Sequence, residues 1–276
     1  NANGAGVADG KGKERLEYLR GWKINEGFSA TNFRQRNISI LGDIVNSNPW
    51  YVGAPQAGFP SKEYLDFRTT NLKRKPVIYV GANDGMLHGF DASTDAVNDL
   101  PISDVTGKEL IAYVPGKVYP NLSKLTEVNY SHRYFVDGSP MVADADVGGW
   151  RTVLVGGLNA GGQGYYALDV TNPANFTTES NADELVMWEF TDEDDPDLGY
   201  TFNQPILRDD QSPESGQIMK MANGKWAVIF GNGYNNTEAD DNDGCIDDPD
   251  VKPCTVSTTG HAALYIVFLE GRGTDG

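Results

Sequence analysis

Short apolar runs recur along the chain, each cut off by a cluster of glycine, asparagine or aspartate: VIYVG, MLHGF, LIAYV, MVADA, TVLVG, YYALDV, LVMWEF, AVIFG and LYIVF. Their length and their Val, Ile and Tyr content predict β-strands joined by tight turns. Gly81, Gly156 and Gly231 each close one of these runs and stand 75 residues apart. A fixed period of this kind marks a repeat architecture.

One order of elements fits every period. A proline-containing extended stretch comes first (GDIVNSNPWYVGAP, VDGSPMVADADV, LGYTFNQPILRDD), followed by the strand that ends in the aligned glycine. A Gly/Asn turn then leads to a third strand in MLHGFDAS, YYALDVT or ALYIVFLEG, and two periods add a fourth in KELIAYVPG or ELVMWEFTD. Proline is tolerated in a first strand where its missing N–H faces no partner. Four antiparallel strands per repeating unit predict an all-β fold, a β-propeller. A sandwich leaves the fixed recurrence unexplained.

The pattern divides the chain into an N-terminal arm over 1–40, a first blade over 41–128, a second over 129–197 and an incomplete third over 198–276. In the arm, Leu16, Tyr18, Leu19 and Trp22 fall at roughly helical spacing, which predicts a short amphipathic helix. Three units are fewer than the 4–8 blades of known propellers, so a fragment of a longer polypeptide is expected. The period also exceeds the ~40–50 residues of common blades. The excess lies in insertions at 54–74, 121–133 and 236–260, the places where a rigid scaffold carries binding loops.

Charge narrows the partners. The net charge of −17 is the opposite of a phosphate-binding footprint and excludes nucleic acid as an expected partner. No run approaches the ~20 apolar residues of a membrane span, and no stretch has the order of a signal peptide. Acid concentrates between Asp183 and Asp250, where only Arg208, Lys220 and Lys225 are basic. The run TDEDDPDLGY, with Asp192, Glu193, Asp194, Asp195 and Asp197, reads as a solvated loop between blades, because it lacks a glycine turn and a regular alternation.

EADDNDGCIDDPD, over 238–250, has more of the order a hard cation requires. With Gly244 at the sixth position of a calcium loop, Asp241 and Asp243 fall third and fifth, the Cys245 carbonyl seventh, Asp247 ninth and Asp250 twelfth. Ala239 at the first position cannot ligate, and the alternative is a merely acidic loop. Cys245 and Cys254 suit a local disulfide better than a metal site, which would put the chain in an oxidising compartment; two free thiols are the alternative.

Catalytic chemistry is sparse. His88, His132 and His261 are scattered one to a unit, and no nucleophile elbow, metalloprotease helix or Walker loop is present. GGLNAGGQG lies between two strands and reads as a turn rather than a phosphate cradle. No enzyme is expected.

Taken together, LGDIVNSNPWYVGAP, VIYVGANDGMLHGFDA, HRYFVDGSP, WRTVLVGGLNAGGQGYYALDVTNPA, LGYTFNQP and VIFGNGYN resemble the C-terminal domain of the PilY/PilC family, the large type IV pilus biogenesis and tip-adhesin proteins of Gram-negative bacteria. The resemblance implies a quinoprotein-like β-propeller of which about three of roughly seven blades are present. It implies an extracellular place at the pilus tip or outer-membrane surface, and roles in assembly, retraction control and adhesion. The implied partners are minor pilins, a host surface ligand and the remainder of the propeller itself, and the implied cofactor is calcium. Two other readings are a generic secreted protein- or carbohydrate-binding propeller and a pyrroloquinoline-quinone dehydrogenase. The latter's docking motif is echoed in GKELIAY, but Tyr113 stands where its tryptophan would, and no adjacent cysteine pair is present.

Overall fold

The computed structural model describes residues 9–209, 212–237 and 256–271. Three antiparallel sheets follow one another along the chain. The first joins β1 (Trp50–Val52), β2 (Val77–Ala82), β3 (Met86–Asp91) and β4 (Glu109–Tyr113) in sequence order. β5 (Met141–Asp146), β6 (Trp150–Gly157), β7 (Gly164–Asp169) and β8 (Val186–Thr191) repeat that order in the second. The third sheet contains β9 (Ile218–Lys220), β10 (Trp226–Gly231) and β11 (Leu264–Phe268). β1 lies against β5 and β5 against β9, so the first strands line the inside of an arc. These are propeller blades.

Two cores fill the seams between sheets. Val52, Val77, Tyr79 and Leu87 of the first sheet pack against Val142, Leu154, Tyr166 and Leu168 of the second. The alternate residues of the second sheet, Met141, Ala143, Val153, Val155 and Tyr165, meet Ile218, Trp226, Val228 and Phe230 of the third. The second sheet is therefore apolar on both faces, which is why MVADA and TVLVG read as continuous runs rather than alternations. Each fully buried aliphatic or aromatic side chain contributes about 1.5–3 kcal/mol.

Several expectations change. The arm helix α1 (Gly12–Leu19) forms, but only Tyr18 is buried in it, with Leu19 partly packed; Leu16 and Trp22 face solvent. The helix is too short to present a wide stripe. It is held instead by the Tyr18 hydroxyl donating to the Leu125 carbonyl, and by Arg36, which donates to the carbonyls of Tyr18 and Trp22 and to Glu26.

In the third unit, the described residues of LGYTFNQPILRDD form isolated bridges at Tyr200, Thr201 and Leu207 but no strand, and the first strand described is β9, further along. Before β9, Leu207 pairs with Ser215, whose N–H donates to the Val142 carbonyl of β5 at 2.7 Å.

The insertion over 54–74 is not a free loop. It carries α2 (Lys62–Thr70), capped by the Ser61 side chain accepting from the Tyr64 N–H, and it lies across the second and third sheets.

Candidate functional site

The chemistry-bearing residues collect at the seams, and the two ends of each seam differ. At one end, the second strand of each sheet carries a glycine at or next to its finish, and in the first two sheets the lead-in of the next sheet crosses over it. A Cβ on Gly81 would stand 2.3 Å from the Val136 carbonyl oxygen. In the second sheet the residue in that role is Gly157, 3.1 Å from the Thr201 carbonyl oxygen; the sequence-aligned Gly156 instead abuts the Tyr166 ring. Among the described residues, Gly231 has nothing nearer than the Ala263 carbonyl oxygen at 4.0 Å.

An asparagine beyond each glycine ties back to the lead-in of its own sheet. Asn83 Nδ2 donates to Asp43 Oδ2 at 3.1 Å, Asn159 Nδ2 to the Asp137 carbonyl at 3.2 Å, and Asn232 Nδ2 to the Asp197 carbonyl at 2.9 Å. Ser47 Oγ accepts from the Gly81 N–H, and Thr201 Oγ1 accepts from the Leu158 N–H, both at 2.8 Å. Asp137 accepts from Asn46 across the first seam, and burial raises its pKa against those bonds.

The histidines have structural surroundings. Buried His88 meets Glu109 through Nδ1 at 2.6 Å and Asp84 through Nε2 at 3.0 Å. Burial alone would lower its pKa, but the two carboxylates outweigh burial and raise it to about 9. His132 Nε2 lies 2.7 Å from Asp43, and His261 is exposed.

At the opposite end, the strap over 54–74 covers the starts of β6 and β10. The ring of Phe59 stands 4.8 Å from Trp150 and 5.6 Å from Trp226, and Tyr64 stands 4.6 Å from Trp150. Beneath the rings is a buried polar network. The Tyr64 hydroxyl donates to Asp144 Oδ2 at 2.8 Å, and Thr152 Oγ1 donates to Asp144 Oδ1 at 2.6 Å. The Asp144 N–H donates to Glu214 Oε1 at 3.0 Å, and Arg208 donates to Glu214 Oε2 at 2.7 Å. Arg74, at the end of the strap, donates to Thr152 Oγ1 at 2.6 Å. Burial and then the Asp144 charge push the Glu214 carboxyl up to about 7.

The run TDEDDPDLGY is only partly solvated. Asp192 is wholly buried, paired at 2.5 Å with a Lys117 that is itself buried, and Asp197 Oδ1 accepts from Ser257. The acid cluster thus contributes to packing, contrary to the loop expectation.

Asp241, Asp243, Cys245, Asp247 and Asp250, expected to hold calcium, and the Cys245–Cys254 pair all lie outside the described residues. Among the described residues, no three His, Cys, Asp or Glu side chains converge to hold a metal ion, and no helix is long and apolar enough to cross a membrane.

Sequence reasoning missed the strap network. Asp144 left a signal, a lone acid inside the otherwise apolar MVADA; Glu214, in SPESG, left none.

The chain is similar to known proteins. The sequence profile described as the PilY1 beta-propeller domain matches residues 41–252. The type IV pilus biogenesis factor PilY1 of Pseudomonas aeruginosa (strain PAK) is 44% identical over 241 residues, covering 83% of this chain and 18% of that protein. A PilY1 homolog of Xylella fastidiosa (strain Temecula1 / ATCC 700964) is 39% identical over 269 residues, or 92% of this chain and 15% of that protein. The crystal structure of the Pseudomonas aeruginosa PilY1 C-terminal domain superposes with a TM-score of 0.52 at 34% identity, over 80% of this chain and 34% of that one. The chain therefore spans under a fifth of the length of these curated relatives. On the profile match, the repeated sheets and their seams, the chain belongs to the PilY1 beta-propeller domain family.

Proposed function

We propose that this chain is a non-enzymatic part of a type IV pilus biogenesis factor, working outside the cell at the pilus tip or outer-membrane surface. The observation that carries the reading is 44% identity to a PilY1 over 241 residues, 83% of this chain. Rigid sheets with their polar groups spent on seams suit a scaffold that presents surfaces to minor pilins and, secondarily, to a host surface ligand. Retraction control and adhesion are the finer roles of that scaffold.

The remainder of the propeller is its first partner. The face of the third sheet turned away from the second carries Met219, Leu264 and Ile266, 41–69% exposed. Among the described residues, no lead-in crosses Gly231 there, as one crosses Gly81 and Gly157 in the other sheets.

Calcium is the proposed modulator, bound by Asp241, Asp243, the Cys245 carbonyl, Asp247 and Asp250. A ligand that binds only the folded state raises the unfolding midpoint with its concentration. Thermal unfolding after chelation is therefore expected to shift upward with calcium, little with magnesium, and not at all in Asp243→Ala. No calcium response would remove the modulator. Association with purified pilin fractions tests the scaffold separately, and consistent failure to bind them would sink it.

A further inference from the structure

We infer that the segment over 54–74 is a proton-gated strap, latched across the second and third sheets by the buried Asp144–Glu214 pair and released as that pair loses its proton. The inference stands on this chain's own seam and is independent of the proposed pilus role.

The geometry shows how one carboxyl pair spans the hold. Tyr64 is the only side chain of α2 that is buried, and its hydroxyl ends on Asp144. Asp144 is on β5, and its backbone N–H donates to Glu214, which comes from the lead-in of the third sheet. One carboxylate pair therefore joins the strap, the second sheet and the third. Arg74, Asp144, Thr152 and Glu214 also line a cavity of about 30 Å³, room for a water molecule among polar partners. Two carboxyls sharing such a site ionise together only at a cost, and that cost falls on Glu214.

Among the described residues, two cations approach the pair. Arg208 pairs with Glu214 from the same lead-in, and Arg74 approaches from the end of the strap. The Arg74 pKa is lowered by burial, opposed by the charges of Asp144, Tyr79, Tyr64 and Asp169. Burial and Asp144 raise the Tyr64 pKa, so the phenol remains a donor across the physiological range.

The sign follows from the Glu214 pKa. In the closed strap it lies near 7, against 4.5 for an exposed glutamate. The closed state thus binds a proton that the open state gives up, and it is favoured fully below about 4.5 and progressively less as pH rises through about 7. Each unit of displacement is tenfold in the opening equilibrium. Between pH 5 and pH 8 the open fraction is expected to grow roughly 70-fold. Opening uncovers Phe59, Trp150 and Trp226, an aromatic surface that spans two sheets.

The test is hydrogen exchange of the strap amides in the whole chain at pH 5 and pH 8, corrected for intrinsic rates, with β6 and β7 as the internal control. Protection over 62–70 should fall by a factor on the order of 50–100 while the control stays flat. In Glu214→Gln the fall should shrink to less than threefold. Equal protection at both pH values in the native chain, or an unchanged fall in Glu214→Gln, overturns the latch. Should Glu214→Gln not fold, Tyr64→Phe decides. It alters no charge, and it should lower strap protection at pH 5; protection left intact there would also overturn the inference.

Discussion

The second and third sheets are built from nearly the same strand pattern, TVLVGG against AVIFG and YYALD against LYIVF, yet their burial differs. Every residue of β6 from Thr152 onward is buried, as are the first five of β7. In β11 none of the five is fully buried, and β10 ends in an exposed glycine. Intrinsic preference is common to both sheets, so the difference comes from neighbours. The second sheet has a sheet on each side. Among the described residues, the third has one on a single side only, and its Met219, Leu264 and Ile266 face outward. A strand pattern therefore encodes a two-faced sheet, and the seam determines how much of it becomes stability.

The widest separation between the two sheets should come from truncating one apolar side chain in each. Leu154→Ala removes a fully buried side chain from the first seam and should cost about 4 kcal/mol, through lost transfer energy and the cavity left behind. Ile266→Ala, at a position 46% exposed, should cost no more than about 1 kcal/mol. Chemical denaturation of both variants measures the gap. Near-equal costs would mean that the outer face of the third sheet is covered in solution.

The first sheet sharpens the comparison through one titrating group. On the face turned towards a preceding sheet, the third strand carries Leu168 in the second sheet and Tyr265 in the third, but His88 in the first. With its folded pKa raised to about 9 and an unfolded value near 6.5, His88 contributes stability that is fully present below about pH 6.5 and lost as pH rises through about 9. The loss should reach about 3 kcal/mol. Urea unfolding at pH 6.5 and 9.5, beside His88→Gln, reads it as a difference in slope. A variant with the same pH dependence as the native chain would release His88 from the Asp84–Glu109 clamp.

Much of this was legible in the sequence because it is local. Each strand advertises itself by β-branched and aromatic runs, and each turn by glycine and asparagine, so the order of elements in the first two sheets followed directly. The period was readable too, although the aligned Gly156 is one residue from the working Gly157: backbone crossing, not sequence spacing, selects the glycine. The strap was not legible. Its hold depends on Tyr64 meeting Asp144 and on Glu214 meeting both sheets, contacts between residues 80 and 70 positions apart. The third lead-in was misread for a related reason. Its proline matched the other two, but Leu207 pairs with Ser215, which donates to Val142 of β5, and nothing in its own residues announces β5. Burial of Asp192 followed the same logic, since the partner Lys117 stands 75 residues away.

The glycines supply the finest division between covered and uncovered seams. A methyl group on Gly81 would meet the Val136 carbonyl at 2.3 Å, so the second lead-in must move, and overpacking of this sort costs about 2 kcal/mol. On Gly157 the nearest crossing backbone atom is the Thr201 carbonyl oxygen at 3.1 Å, but the Tyr165 ring at 2.8 Å must also give way; a cost of about 1 kcal/mol is expected. On Gly231 the nearest atom among the described residues is at 4.0 Å and the site is exposed, so Gly231→Ala should stay within about 0.5 kcal/mol of the native chain. Thermal midpoints of the three alanine variants should therefore fall in the order of the distances. The informative case is Gly231. If its alanine variant is as damaging as that of Gly81, a lead-in crosses the third sheet in solution as it crosses the first two, and the contrast between covered and open sheets disappears.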